Sequence, residues 1–457
     1  MNYDIIILGA GPGGYVAAIK AAQLGAKVAI IEKQDIGGVC LNIGCIPTKA
    51  LLKSAKVYQE IMNAEEFGII IEDKKQINFD WEKIIKRKDK IVKKLTTGIK
   101  MLLKKNNVDV FQGLGKIINA NQVEVNNEIL TTKNIIIATG SSPIIPPIPG
   151  VKEAYEKEII VTSKELLSIK EFPKSLVVIG GGVIGIEFAT LFAGFGAEVT
   201  IIEMADNILV NLDEEIRDAY LKILKKSKIN IITNAKVTKI NYQQITYDNG
   251  SEEITITGDK ILLSVGMKAN TDGLEHLKLA IDKQGIITNQ KLETNIPGVY
   301  AIGDVNGKMM LAHVASSEGI VAVENIMGKN SKIDYQKVPA GIYGSPEIAH
   351  VGLTEQQAKA RNLNYKVSKF PLAASGKALA EGETEGFIKV IVDQKYGELL
   401  GMHILANHAT DLISEAVVTM ELEGTVFELA KAIHPHPTLS EIIMEAAHGA
   451  IDKPIHI

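Results

Sequence analysis

Asp4-Ile5-Ile6-Ile7-Leu8-Gly9-Ala10-Gly11-Pro12-Gly13-Gly14 decides the reading of this chain. An unbroken apolar run of strand length passes directly into a glycine-rich turn. An alanine-rich helical segment follows, then a second apolar run, Ala29-Ile30-Ile31, closed by the carboxylate of Glu32. The pattern is that of a buried parallel strand, a tight turn, a helix and a second strand. It occurs twice. From Leu176-Val177-Val178-Ile179-Gly180 to Val199-Thr200-Ile201-Ile202-Glu203, the residues Gly9, Gly11, Gly14, Gly25 and Glu32 recur as Gly180, Gly182, Gly185, Gly196 and Glu203 at identical spacing. One such fingerprint is weak evidence; two, each following a strand and each ending in glutamate, predict an α/β chain with two Rossmann-like dinucleotide-binding regions.

Each residue type has a reason. The first glycine allows the turn, the second lets the backbone approach a pyrophosphate, and the third lets helix pack on strand. The pyrophosphate then meets the unpaired amides and positive dipole end of the helix N-terminus. The terminal glutamate accepts hydrogen bonds from ribose hydroxyls and repels a 2′-phosphate. Glu203 is followed by Met204-Ala205-Asp206 with no arginine nearby, which favours NAD over NADP at the second site.

A chain of 457 residues predicts about three domains. The net charge of −4 and the near balance of 50 basic against 54 acidic residues leave no global footprint for nucleic acid. No apolar stretch approaches the about 20 residues needed to span a bilayer. The start, Met1-Asn2-Tyr3-Asp4, has neither a secretory nor a transit character. A cytoplasmic protein is expected, without membrane or nucleic-acid partners.

The only two cysteines are Cys40 and Cys45, in Cys40-Leu41-Asn42-Ile43-Gly44-Cys45, just after the first fingerprint. Structural disulfides staple small secreted domains, whereas this chain is large and 46% hydrophobic, so a redox role is favoured. The four intervening residues, Gly44 among them, can form a distorted helical turn that brings the sulfurs within bonding distance, with Pro47 limiting the backbone beyond.

The segment Gly37-Gly38-Val39-Cys40-Leu41-Asn42-Ile43-Gly44-Cys45-Ile46-Pro47-Thr48-Lys49 resembles the redox-active stretch of the flavin-dependent pyridine nucleotide-disulfide oxidoreductases. Ala138-Thr139-Gly140-Ser141, the second fingerprint with Glu187, Tyr300-Ala301-Ile302-Gly303-Asp304 and His434-Pro435-His436-Pro437-Thr438-Leu439-Ser440-Glu441 extend the resemblance over essentially the whole chain. It is most similar to the branch acting on dihydrolipoyl groups. The resemblance implies a glutathione-reductase-like α/β fold with a C-terminal α+β dimerisation domain. Its order is an FAD-binding domain at 1–145, an NAD-binding domain at 146–268, a return to the FAD domain at 269–337 and an interface domain at 338–457. A proline-rich linker, Ser142 to Gly150, suits the first crossing.

The family implies FAD along Gly9, Gly11, Gly14 and Glu32, lined by Lys49 and Gly115, closed by Thr139, Gly140 and Ser141, with Asp304 on the ribityl chain and Met310, Ala312 and His313 beneath the flavin. It implies NAD at Gly180, Gly182, Gly185, Glu187 and Glu203, framed by Val237 and Gly266. After Gly266 the chain reads Met267-Lys268-Ala269-Asn270, where the family more often has arginine and proline. By the same resemblance Cys40 is the interchange thiol and Cys45 faces the flavin. His436 is the base that thiol exchange requires, and Glu441 five residues later orients its imidazole. The alternative reading of the two histidines, a metal site, lacks a third ligand cluster, and no metal is expected. In the family the base serves the partner subunit, which implies a homodimer. The dihydrolipoyl group would come from a lipoyl-bearing acyltransferase or a glycine cleavage lipoyl protein.

Glutathione-type reductases share these motifs but use NADP. Mercuric-type reductases need a further C-terminal cysteine pair, absent from Ala450 to Ile457. A flavoprotein retained only as a structural subunit would not need the cysteines, histidine and glutamate together. One charged feature belongs to none of this. Trp81 to Leu95 is a predicted helix with apolar residues at 81, 84, 85, 91, 92 and 95 and lysines filling the other face, expected to be a solvated surface.

Overall fold

The computed structural model describes residues 2–457. The chain divides into two compact units, Met1–Pro173 with Leu262–Ile333, and Lys174–Ile261 with Asp334–Ile457.

The first unit is organised by strand β1, Asn2–Leu8, whose Ile5, Ile6 and Ile7 are wholly buried. Alternate side chains leave a strand on opposite faces. Ile5 and Ile7 therefore enter one core layer with Ala17 and Ala21, and Ile6 and Leu8 another with Val123 and Leu130. Burial on both faces is why this strand is continuously apolar. Helix α1, Pro12–Gln23, follows the glycine turn, and β2, Val28–Glu32, pairs parallel to β1 with Ile5 opposite Val28. Next come α2, Gly38–Ile43; α3, Cys45–Met62; and α4, Trp81–Lys105. The sheet is completed by β3, Asp109–Gln112; β4, Lys116–Asn119; β5, Gln122–Val125; and β6, Glu128–Ile137. They lie in the order β3-β2-β1-β6-β5-β4, and Val299–Ala301 also pairs with β6.

Helix α4 starts where Asp80 accepts the Lys83 amide at 3.0 Å and ends with Lys104 and Lys105 against the negative dipole end. It runs ten residues past the apolar pattern read from sequence. Leu95, expected on its packed face, is exposed instead, while Ile99 and Leu103 continue the buried stripe.

In the second unit, Ser175–Ile179, Glu198–Ile202 and Ile229–Ile232 form parallel pairs around the helix Val183–Gly194. This is the first unit's opening in a second copy. Gly9 N donates to Ile31 O at 2.8 Å, and Gly180 N to Ile202 O at 2.9 Å. The C-terminal part is a five-stranded antiparallel sheet ordered Ala340–Ile342, Glu347–Gly352, Leu399–Ala406, Phe387–Asp393, Tyr365–Pro371. The helices Ala409–Glu421 and Glu441–Ile451 contribute Ile413, Ala416, Ile442 and Ile443 to its core. Among the described residues no helix is long and apolar enough to cross a membrane.

Candidate active site

The glycine turn of the first unit is held by contacts that exclude side chains. A Cβ on Gly14 would lie 1.9 Å from the Gly9 carbonyl oxygen, and Gly9 itself has φ +101. Gly11 caps α1, with Pro12 pre-set in the first helical position. The N-terminus of α1 is thereby left facing the turn, as a pyrophosphate requires. Gly182 caps the helix Val183–Gly194 in the same manner.

Both terminal glutamates have a second role that the sequence reading missed. Glu32 Oε2 accepts the Ala10 amide at 2.7 Å and Oε1 accepts the Gln34 amide at 2.7 Å. Glu203 accepts from Gly181 at 2.6 Å and Ala205 at 2.7 Å. Each carboxylate ties the end of its strand to its own glycine turn.

Helix α2 abuts the first turn so closely that a Cβ on Gly38 would sit 2.6 Å from Gly11 Cα. This carries Cys40 to the fingerprint. Instead of one distorted turn between the cysteines, α2 ends at Ile43, Gly44 breaks the helix at φ −145 and ψ −115, and Cys45 is the first residue of α3. A Cβ on Gly44 would lie 2.9 Å from Val39 O, so glycine is needed where the chain folds back. Both thiols are partly accessible. The Cys45 side chain, hydrogen-bonded to Cys40, pushes the Cys40 thiol above the ordinary cysteine range; burial and the charge of Cys45 add to this, and Lys49 on α3 opposes it. That arrangement favours one negative charge shared by the pair over two.

Later segments of the same unit supply the other predicted FAD residues. Ser141 donates its hydroxyl to Asp304 Oδ2 at 2.6 Å. Burial raises the Asp304 pKa above its ordinary value although Ser141 opposes it. Thr139 Oγ1 donates to the Asn270 carbonyl at 2.8 Å, and Asn270 Nδ2 returns a bond to Thr139 O at 3.0 Å. Asn270, in the segment where the chain departs from its family, is therefore a brace for Thr139 to Ser141 that sequence did not reveal. Gly266, with φ +120, precedes the strand Met267–Ala269, which pairs with Ser141–Pro143, and it lies in the first unit. Ala312 begins the helix Ala312–Ile326, next to Met310 and the exposed His313. This helix crosses α1 where a Cβ on Gly319 would be 2.7 Å from Gly13 O. Its buried Glu318 holds the Gly303 amide at 2.5 Å and the Asn306 amide at 2.9 Å, fixing the turn that carries Asp304. Gly115 packs on Ile31, with no room to spare for a side chain.

In the second unit Glu187 is buried on the helix Val183–Gly194, and its Oε1 accepts the Tyr343 amide at 3.1 Å. Val237 is buried in the strand Lys236–Asn241. His436 Nδ1 donates to Glu441 Oε1 at 2.9 Å, and Glu441 Oε2 accepts the Thr438 amide at 2.8 Å. Partial burial opposes ionisation of Glu441, but the Thr438 amide and His436 together hold its pKa below the ordinary glutamate value. An ionised carboxylate only accepts, so the neutral ring carries its proton on Nδ1 and leaves Nε2 as a base. His434 is placed differently. Its Nδ1 faces Ala432 O at 3.0 Å and its Nε2 faces Glu415 at 2.7 Å, so neither ring nitrogen is available for exchange. No group of three or more metal-ligating side chains occurs among the described residues.

These features define a class. The chain belongs to the pyridine nucleotide-disulphide oxidoreductases: that family's pattern matches residues 3–319, and its dimerisation domain matches residues 338–447. Within it the similarity is to proteins named dihydrolipoyl dehydrogenase. The one from Acholeplasma laidlawii is 60% identical over 71% of this chain and 96% of its own length. Those from Mycoplasma genitalium and Bacillus subtilis are each 44% identical, the first over 99% of both chains and the second over 100% of this chain and 99% of its own. Among solved structures, the copper(II) complex of an HOCl-induced flavoprotein disulfide reductase from Escherichia coli superposes with a TM-score of 0.87 at 29% identity, covering 98% of this chain and 99% of that one. The chain is thus an oxidoreductase of the flavoprotein disulfide reductase fold.

Proposed function

We propose that the protein oxidises protein-borne dihydrolipoamide to lipoamide and reduces NAD⁺, as a homodimer in the cytoplasm. The observation that carries this reading is the Cys40 and Cys45 pair, hydrogen-bonded across the Gly44 break and set by α2 against the first glycine turn. The relatives' names give the substrate class. The four-part domain order read from the sequence belongs to the same proposal.

FAD fits the first unit: the α1 N-terminus, the braced Thr139 to Ser141 segment, the Ser141–Asp304 pair, Lys49 and Gly115 are the residues that would hold it. NAD fits the second fingerprint, with Glu203 on the ribose and Glu187 and Val237 flanking. When bound, FAD supplies the acceptor for the dithiol's electron pair and the route to NAD⁺.

The chain's own residues handle the thiols and protons. In the reactive enzyme Cys40 and Cys45 form a disulfide. A dihydrolipoyl thiolate attacks Cys40 sulfur, the Cys40–Cys45 bond breaks, and Cys45 leaves as a thiolate. His436 Nε2, from the other copy, takes the proton of the second dihydrolipoyl thiol. That thiolate then displaces Cys40 and releases lipoamide. Glu441 keeps the imidazole in the right tautomer and stabilises its charged form.

The test compares turnover of dihydrolipoamide with NAD⁺ against that of glutathione disulfide with NADPH, and maps Cys40–Cys45 by mass spectrometry before and after anaerobic dithiol. Turnover of the first pair with a disulfide that opens on dithiol addition is expected. Preference for the second pair, or cysteines unchanged by dithiol, overturns the reading.

A further inference from the structure

Helix α4 is strongly one-sided in charge. Across Trp81–Lys105 it carries ten lysines and arginines against Glu82 and Asp89, whereas the rest of the chain has 40 basic and 52 acidic residues, that is 50 less ten and 54 less two. At 100° per residue, Lys83, Lys86, Arg87, Lys90, Lys93, Lys94, Lys100, Lys104 and Lys105 fall within an arc of about 140° along a rod about 37 Å long. All nine are exposed. Lys83 pairs with Asp80 and Lys86 with Glu82. Among the described residues, Lys90, Lys93, Lys94, Lys100, Lys104 and Lys105 take part in no ion pair. Self-repulsion on one face costs helix stability, and the interior of this helix does not require it: Trp81, Ile99 and Leu103 fill the buried side. Met101, 62% exposed, lies within the basic stripe, an apolar anchor amid the charge.

The position of the stripe gives it a purpose. α4 packs on both α2 and α3, the helices that carry Cys40 and Cys45. Arg87 Nη1 donates to the Ala50 carbonyl of α3 at 2.9 Å, five residues beyond Cys45. Resting on the function proposed above, we infer that the outer face of α4 is the docking surface for an acidic face of the lipoyl-bearing protein domain. That domain must stay within one extended side-chain arm of the thiol pair, and the stripe is the basic surface fixed to the helices holding that pair. A compact acidic domain can lie on the stripe alone. The excess of acidic over basic residues in the rest of the chain disfavours an extended polyanion such as a membrane surface or a duplex.

The experiment uses the full-length, flavin-loaded dimer with Lys90→Glu, Lys93→Glu, Lys94→Glu and Lys104→Glu combined, none of which touches the reacting groups. Its substrates are free dihydrolipoamide and an isolated, reduced lipoyl domain of net negative charge, each with NAD⁺. The variant is expected to lose kcat/KM for the domain by ~10-fold, through KM, and to keep that for free dihydrolipoamide within about twofold. Raising salt from about 20 to about 300 mM should depress the wild-type rate with the domain and leave the variant flat. The corresponding Lys→Gln set, which adds no negative charge, should show a smaller loss in the same direction. Equal losses on both substrates would make the stripe structural and overturn the inference. So would no loss on the domain, or binding to phosphatidylglycerol vesicles or duplex DNA that the variant loses while its domain kinetics are unchanged. If wild type turns over neither substrate, the functional reading itself fails and the docking inference with it; if it turns over both and the variant matches it, only the docking inference fails.

Discussion

Glu32 Oε2 accepts a hydrogen bond from the Ala10 amide at 2.7 Å, joining the end of one strand to the glycine turn that follows its neighbour. Glu203 and Gly181 repeat the bond at 2.6 Å in the second copy. A residue read as a ribose ligand is thus also the closure of the turn. The same carboxylate that would meet a ribose hydroxyl holds the backbone that would meet the pyrophosphate, so the two contacts are set as one unit.

Replacing Glu32 with alanine strands the buried Ala10 amide and removes the partner of the part-buried Gln34 amide. A loss of about 1–3 kcal/mol is expected, with weaker flavin retention. Thermal unfolding followed with and without added FAD measures both, and an unchanged melting temperature would refute the closure role.

Gly14→Ala and Gly25→Ala separate crowding from backbone strain. A Cβ at Gly14 meets Gly9 O at 1.9 Å, while Gly25, at φ +90, has nothing within 4 Å. The first substitution should cost ~3 kcal/mol or more and release the flavin. The second should cost about 1 kcal/mol and keep it. Chemical denaturation together with flavin absorbance on the purified proteins distinguishes the two.

His436→Gln should lower dihydrolipoamide oxidation by ~10²–10⁴-fold, the usual worth of a positioned base. Glu441→Ala should lower it less, because the imidazole survives but its tautomer and orientation are no longer imposed. NADH oxidation by ferricyanide needs no thiol exchange and should be nearly unchanged in both. A parallel fall in that second activity would mean damage to the fold instead of the base.

His350 and His403 stack with ring centroids 5.8 Å apart and are paired in register on adjacent strands. Burial, with the charge of His403 adding to it, pushes the His350 pKa down to about 4 from 6.5. The folded state therefore binds fewer protons than the unfolded one between these values. The resulting stability is full above pH 6.5 and declines as pH falls towards about 4, a total of about 3 kcal/mol. Urea unfolding across pH 4.5 to 7.5 should show this slope in wild type and a shallower one in His350→Phe.

Lys389 is fully buried against three carboxylates: Asp213 Oδ1 at 2.9 Å, Glu215 Oε2 at 2.7 Å and Glu355 Oε2 at 2.6 Å. Burial opposes its charge, but these acids push its pKa above the ordinary lysine value, so its contribution is present at neutral pH and is lost only in strong alkali. Asp213 and Glu215 are held below their ordinary values of 3.8 and 4.5 against the burial that opposes them, so their share disappears as the pH falls below about 4. Lys389→Met leaves the carboxylates facing one another and should destabilise by about 3–5 kcal/mol. Equilibrium unfolding measures it, and a change under 1 kcal/mol would show that the acids are satisfied without the lysine.

The local features were legible in the sequence because they are short-range. A buried parallel strand must be apolar throughout, a turn against a pyrophosphate must be glycine, and a carboxylate must end the second strand; each constraint acts within about 30 residues, and each appears twice. The cysteine pair, the histidine with its glutamate, and the helix at 81 were visible for the same reason. Tertiary structure decided what depends on residues far apart in the chain. Only packing of α2 on the glycine turn brings Cys40 to the fingerprint. Only the pairing of Met267–Ala269 with Ser141–Pro143 makes Asn270 the brace of Thr139. The buried Lys389 joins acids from positions 213, 215 and 355, a charge cluster that no window of sequence displays. The basic stripe of α4 reads in sequence as a solvated face; its place beside the helices of Cys40 and Cys45 is what gives it meaning, because proximity to a reacting group is a property of the folded chain and not of any segment of it.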